Sequence, residues 1–306
     1  MGTGDPYVYD GTDVLRNLFG ERDQDRLSAL EQEQSLEGIA GLRTDPVSGR
    51  FDSAHLREIH RRIFAGVYPF AGRERTISLS KDEIVLGGRS VRYAEPDEIA
   101  GRLDAATAGL ATFRFDATRP KGSLAELARH HAAVWQVHPF REGNTRAVLT
   151  FALQHGRERG FEFDAPALAR HPSETRDALA LAAAGDGQGL SAILHRAWSS
   201  QRERTHARIG RLTSEASEIM RLLGHPPLTV PKPGDAARGT ILTVSYDAVL
   251  LRNADGVQAV HKSNFKGLGL RVNDRANIIV SQELETGLDQ AAPATASRKK
   301  TFCIED

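Results

Sequence analysis

The segment His138-Pro139-Phe140-Arg141-Glu142-Gly143-Asn144-Thr145-Arg146 gathers an imidazole, a carboxylate, two guanidinium groups and a glycine into nine residues. Gly143 admits a backbone turn that a β-carbon resists. A helix beginning near Asn144 aims its unpaired N–H groups and the positive end of its dipole into that turn, and such a terminus binds phosphate. Arg146, in the first helical turn, adds a planar fork for a second phosphate. Glu142 has the wrong charge for a phosphate ligand and the right one for Mg²⁺. That hard cation commonly takes one carboxylate and fills its octahedron with phosphate oxygens and water. His138, an imidazole with an ordinary pKa of about 6.5, can take a proton from an attacking hydroxyl. Phe140 is apolar and pins the loop into the core. Together these residue types point to phosphoryl or nucleotidyl transfer.

The elements that must carry this loop read as helices. Ser123-Leu124-Ala125-Glu126 has the form of a capping box opening a helix through Trp135, and a second helix runs from Asn144 to about Arg159. Upstream, Asp23 to Ile39 places Leu27, Leu30, Leu36 and Ile39 in a polar background, with Gly38 and Gly41 expected to end the helix. Asp52 is positioned to cap a helix over Ser53 to Phe64. Thr76 to Leu79 and Ile84 to Leu86 read as two extended runs joined by Ser80-Lys81-Asp82-Glu83, a small exposed hairpin or flap. Glu98 to Phe113, Pro166 to Ala184 and Gly189 to about Leu223 complete the helical set, and Val14 to Phe19 is a short apolar element. His60, His130, His131 and His155 lack metal-ligand spacing and read as structural. Arg141 reads as facing solvent or pairing locally. The arginines near Arg202 to Arg211 read as a solvated helix face.

Past Gly224-His225-Pro226-Pro227 the pattern changes to short β-branched runs, Thr240 to Val244, Ala248 to Leu251, Val257 to His261 and Asn277 to Val280. The fold class expected is therefore mainly α, with a β-hairpin flap, followed by a small all-β domain. The expected boundaries are 1–224, 225–285 and a flexible tail over 286–306. With 306 residues, 40% hydrophobic and 26% charged, the chain has the composition of a globular protein of about two domains. Forty basic residues balance forty acidic ones, which argues against a nucleic-acid partner. Cys303 is the single cysteine, so no intramolecular disulfide forms and a cysteine-rich metal site is excluded. No stretch reaches the roughly 18 to 20 apolar residues of a membrane span. The expected compartment is the cytoplasm, with secretion as an effector left open.

The nine-residue segment resembles the signature of the Fic family, part of the Fic/Doc group: His-x-Phe-x-Asp/Glu-Gly-Asn-x-Arg. The resemblance runs over about residues 7–200. Tyr9, Gly11, Thr12, Val14, Leu15 and Asn17 are similar to the entry of toxin-type members. Phe70-Ala71-Gly72-Arg73-Glu74-Arg75-Thr76, followed by Lys81, is similar to the approach to the target-docking flap. It implies a helical domain that transfers AMP from ATP to a Tyr, Ser or Thr hydroxyl of a target protein and releases pyrophosphate. Type II topoisomerase subunits of bacteria are the implied targets. The resemblance also implies His138 as general base, Glu142 as the Mg²⁺ ligand, and Gly143, Asn144, Thr145 and Arg146 around the phosphates, with Phe140 securing the loop. Ile77, Ser78, Leu79, Ser80 and Lys81 are the implied target-docking residues.

The chain departs from the family pattern in two places. Many members carry Gly at the position of Thr145 and a second Arg at that of Leu149, where it helps hold the γ-phosphate. A donor other than ATP, or a weak or inactive protein-interaction adaptor, is therefore the alternative. A Ser/Thr-x-x-x-Glu-Gly/Asn inhibitory sequence is absent, and Ser35-Leu36-Glu37-Gly38 has the wrong spacing, so a small antitoxin-like protein is the implied inhibitor. The β domain resembles the small OB-like domain of some Fic effectors. Its Tyr246 and Phe265 are too few aromatics for a base-stacking platform.

Overall fold

The computed structural model describes residues 5–116, 119–222, 228–232, 234–244, 248–265 and 269–280. The chain divides into two compact units, residues 1–197 and 198–306. Among the described residues no helix is long and apolar enough to cross a membrane.

In the first unit, α1 (Gln24–Thr44) starts at Asp23, whose carboxylate accepts from Arg26 N at 2.9 Å. In α2 (Ser53–Phe64) Asp52 caps in the same way, accepting from His55 N at 3.1 Å. Leu56, Ile59, Ile63 and Phe64 recur at helical spacing and are buried. α1 does not end at its glycines. It runs on to Thr44 because Gly38 serves the crossing with α2: a β-carbon there would lie 2.8 Å from Arg62 O and Ile63 Cα. α3 (Ile99–Thr112) packs on α4 (Pro120–Val137), and α5 (Asn144–Arg159) packs on α2 and α4. α4 opens three residues before the expected capping box. Pro120 occupies its first turn, and Ser123 Oγ instead accepts from Asp116 N at 2.9 Å. Trp135, Phe140, Phe151 and Phe161 are fully buried at the centre of this helical layer.

Two further expectations give way. The single helix over Pro166 to Ala184 is α6 (Ala165–Ala169) followed by α7 (Pro172–Ala183), because His171 precedes a proline and adopts φ −131°, ψ 79°. The expected flap hairpin forms no strands. Ile84–Leu86 is a 3-10 turn, and one antiparallel bridge, Glu83 to Arg89, closes the segment. Ile84 is 94% exposed, so its β-branched side chain has no sheet to pack against. α8 (Gln188–Leu222) begins in this unit.

The second unit holds β1 (Leu228–Thr229), β2 (Ala236–Val244), β3 (Ala248–Asn253), β4 (Gly256–His261) and β5 (Arg275–Ile279) in the order β1-β4-β3-β2-β5. β2, β3 and β4 form an antiparallel meander, β5 adds antiparallel to β2, and β1 lies parallel to β4. Ile241, Val249, Leu251, Val260, Phe265 and Ile278 form its core. Among the described residues the sheet has five strands, as the small all-β domain requires. The tail expected over 286–306 lies outside the described residues.

Candidate active site

The loop joining α4 to α5 begins on an uncommon backbone. His138 ends α4 in the left-handed region at φ 50°, ψ 56°, donating its N–H to Trp135 O at 3.0 Å. Few residues other than glycine adopt this conformation, and such positions cluster at functional sites. The imidazole is buried. Tyr93 stacks on it at 4.1 Å between centroids, and Trp135 meets it edge-on at 5.2 Å. Burial holds its pKa well below the usual imidazole value, reinforced by the positive charge of Lys81 and then by Arg75 and Arg176. At neutral pH the ring is therefore the free base, the form that can accept a proton.

The loop is closed on itself. Asn144 Nδ2 donates to Phe140 O at 2.7 Å, and Phe140 N donates to Asn144 Oδ1 at 3.0 Å. The side chain of Asn144 is thus spent on the loop, leaving only its backbone N–H for an anion. Gly143 sits at φ 79°, and a β-carbon would lie 2.3 Å from the Phe64 ring, so both conformation and space exclude a side chain. The first intrahelical bond of α5 is Ala147 N to Gly143 O, 3.0 Å, so the N–H groups of Asn144, Thr145 and Arg146 precede the ladder. Gly143 N itself donates to Glu142 Oε1 at 2.9 Å. Thr145 Oγ1 accepts from Trp135 Nε1 at 2.9 Å, which places this hydroxyl toward α4.

Arg146 lies over the Phe64 ring at 4.7 Å and donates to Ser35 Oγ at 3.0 Å and to Glu31, which also accepts from the Tyr68 hydroxyl. Its distance to Glu142 Oε1 is 3.9 Å. Glu142, one-third exposed, keeps its second carboxylate oxygen for a further partner. One carboxylate beside a row of helix-start N–H groups able to bind phosphate fits Mg²⁺, whose remaining positions phosphate and water would fill. Arg141, expected to face solvent or pair locally, instead pairs at 2.7 Å with Asp5, 136 positions away in the chain.

Four supporting residues escaped the sequence reading of roles. His60, expected to be structural, stacks under Phe140 at 3.8 Å. Its Nδ1 accepts from Gly72 N at 2.8 Å, so Nε2 carries the proton and donates to Glu142 O at 2.9 Å. Burial lowers its pKa to about 4, and the ring stays neutral. Arg75 is buried. Its N donates to Pro139 O at 2.8 Å and its Nε to His138 O at 2.8 Å, while its other nitrogens reach Ile77 O and Ala94 O. One guanidinium thus ties the start of the flap to the loop. Tyr93 and Glu31 complete the set. Their only sequence signal was an unpaired aromatic and an unpaired acid, which carries nothing until the chain is folded.

The implied docking residues run alongside. Ser78 and Ser80 are exposed, whereas Ile77, Leu79 and Lys81 are half-buried, the alternation of an extended segment. Lys81 N donates to Ser90 Oγ at 3.0 Å. Leu149, on α5, is half-buried.

Comparison with known proteins bears on this geometry. A model of the Fic/DOC family matches residues 50–155, which include the loop and the helices around it. "Probable protein adenylyltransferase y4lH" of Sinorhizobium fredii is 34% identical over 192 residues, 63% of this chain and 95% of the relative. "Protein adenylyltransferase VbhT" of Bartonella schoenbuchensis is 30% identical over 164 residues, and the match spans 53% of this chain and only 33% of the relative. Among solved structures, the type IV secretion system effector protein BepA aligns with a TM-score of 0.53 at 19% identity, over 90% of this chain and 96% of its own. The BepC effector of Bartonella tribocorum, solved with AMPPNP, aligns with a TM-score of 0.51 at 22% identity, over 62% of this chain and 95% of its own. These two alignments bear on fold alone. The match to the Sinorhizobium relative over nearly its whole length, together with the family model, decides the kinship: the chain belongs to the Fic/DOC family.

Proposed function

We propose that the chain is a protein adenylyltransferase that moves AMP from ATP to a hydroxyl side chain of a target protein. The observation that carries this is a buried, neutral His138 at one end of a closed loop whose other end is the N-terminus of α5. Relatives carrying the name protein adenylyltransferase support it. In this reading the imidazole of His138 takes the proton of the target hydroxyl. The hydroxyl oxygen forms a bond to the α-phosphorus as the bond from that phosphorus to the pyrophosphate oxygen breaks, and pyrophosphate leaves. Backbone N–H groups of Gly143 to Arg146 and the Arg146 guanidinium bind the phosphates. For Gly143 and Arg146 this requires exchanging present partners, Glu142 and Glu31. Glu142 would hold Mg²⁺, which supplies charge neutralisation to the phosphates when bound. Residues 77–81 align the target's backbone beside His138 by strand addition. The finer proposals are a type II topoisomerase subunit as target, an antitoxin-like protein as inhibitor and the cytoplasm as the place of action.

The test is incubation of the purified chain with Mg²⁺ and each radiolabelled nucleoside triphosphate, against a bacterial lysate and against purified topoisomerase subunits. Label on protein from ATP alone supports the reading. Label from another nucleotide replaces the donor, and no label from any donor removes the activity.

Leu149 favours a second reading, an adaptor with nucleotide affinity and little transfer, because leucine supplies no charge to a γ-phosphate. Leu149→Arg should raise the affinity ratio of ATP to ADP, a charge-assisted hydrogen bond contributing roughly 1.5 to 3 kcal/mol. Calorimetry with Mg²⁺ at matched ionic strength measures it. An unchanged ratio with vigorous wild-type transfer from ATP removes the adaptor reading.

A further inference from the structure

A buried carboxylate lies one ring away from the base. Glu83, at the foot of the flap's 3-10 turn, is 1% exposed. It accepts two hydrogen bonds from Arg176 of α7, at 2.6 and 2.8 Å, and one from the Tyr93 hydroxyl at 3.2 Å. Arg176 also lies 3.8 Å from Asp177. The backbone around Glu83 is held as well: Glu83 N donates to Arg89 O at 3.3 Å, and Gly88 N donates to Glu83 O at 3.0 Å. The carboxylate is buried while Arg176 is 37% exposed, so removing Arg176 would leave an uncompensated charge on the buried side of the pair. Tyr93 is itself buried, and its ring lies against His138 at 28° to the imidazole plane. Trp135 stands edge-on to both rings, 5.9 Å from Tyr93 and 5.2 Å from His138.

His138 needs such support. Its Nδ1 is buried and meets no hydrogen-bond partner of good geometry among the described residues, so the carbonyl of Trp135, which acts on the ring to raise its pKa, holds its rotation only loosely. Rotation about the bond to an imidazole ring is soft and roughly two-fold, so a loosely bonded ring takes much of its orientation from its neighbours' faces. The face available is Tyr93. Its tilt follows from the hydroxyl's bond to Glu83, and the place of Glu83 follows from Arg176.

We propose that Tyr93, clamped by Glu83 and Arg176, is a positioning residue for His138, so that the grip of α7 on the flap and the orientation of the base form one device. The proposal rests on the reading of His138 as general base. It adds that a group on α7, far along the chain from the motif, sets the rate of proton removal while leaving the nucleotide site intact.

The test uses the full chain labelled with ¹³C and ¹⁵N histidine, with the His138 ring signals assigned by their loss in His138→Gln. Tyr93→Phe keeps the ring and removes the hydroxyl. Arg176→Ala releases Glu83, and Arg176→Lys retains one charge-assisted bond to it. In Tyr93→Phe and Arg176→Ala the His138 signals should shift or broaden, with partial recovery in Arg176→Lys. Transfer from radiolabelled ATP should show kcat lowered about tenfold with KM for ATP within about twofold, the signature of an interaction that acts in the chemical step. His138 signals unmoved in both variants overturn the proposal whatever the rates, and so does an unchanged kcat. Should Arg176→Ala not fold, Tyr93→Phe decides alone, since it removes a single oxygen. Signals that shift in the variants of a wild-type chain without transfer support the positioning and retire the reading of His138 as base.

Discussion

The loop over residues 138–146 and the flap over residues 76–90 lie side by side, and they are built on opposite plans. The carbonyls of the loop from His138 to Phe140, and that of Glu142, are all held from within the fold: Asn144 clips Phe140, His60 holds Glu142 O, and Arg75 holds His138 O and Pro139 O. The flap is held at Arg75, where it starts, and at Glu83, while Ser78 and Ser80 between them, and Ile84 just beyond, face solvent. The chemical step needs groups held to a fraction of an ångström. Recognition by main-chain pairing needs an edge left unpaired. Under the proposed function, the contrast separates the part that would do the chemistry from the part that would meet the partner.

Breaking the loop's chemistry should have the largest effect. His138→Ala is expected to lower transfer about 10²- to 10⁴-fold while leaving nucleotide affinity near wild type, because the base activates the hydroxyl and does not hold phosphate. Calorimetry beside the transfer assay separates the two, and an equal loss of binding would contradict this division. Next comes Gly143→Ala, which meets both the positive φ and the Phe64 ring. About 2 to 4 kcal/mol of stability should be lost in urea unfolding. A value under 0.5 kcal/mol would mean that the loop relaxes as freely as the flap.

Acid should erode the loop's advantage. His60 and His155 have folded pKa values of about 4, and His131 and His138 lie well below 6.5, each chiefly through burial. In the unfolded chain these rings titrate near 6.5, so the unfolded state binds more protons as pH falls below that value, and stability falls with it. The contribution is intact above pH 6.5 and is lost progressively down to the folded pKa. At pH 5.5 the loss amounts to about 1.4 kcal/mol for His60 and the same for His155. Urea midpoints measured across this range check the slope, and a flat profile would count against neutral buried rings. The smallest effect belongs to the flap. Ile77→Ala with Leu79→Ala should reduce target modification several-fold, roughly 1 kcal/mol, with nucleotide affinity unchanged. Unaltered modification of the native target would move docking elsewhere.

What could be read in the chain follows the same division. Asp52 as a cap, the start of α5 at Asn144 and the meander β2-β3-β4 are local matters, and local patterns revealed them. The contacts that hold the site are not local. Glu31 reaches Arg146 across 115 positions, and Glu83 reaches Arg176 across 93. No spacing rule announces such pairs. Gly38 misled because a glycine at a helix crossing looks like a glycine at a helix end. Ile84-Val85 misled because β-branched residues favour a strand only when a sheet exists to receive them.

The bond from Trp135 Nε1 to Thr145 Oγ1 makes the protein its own reporter. Trp135 is one of two tryptophans in the chain, wholly buried, and its indole nitrogen touches the first turn of α5, the helix proposed to receive the phosphates. Emission from an indole responds to the polarity and hydrogen bonding at that nitrogen. In a Trp198→Phe background the remaining fluorescence comes from a single ring at the edge of the site. Occupancy by nucleotide can then be followed optically, in real time and without a label, by watching the colour of Trp135.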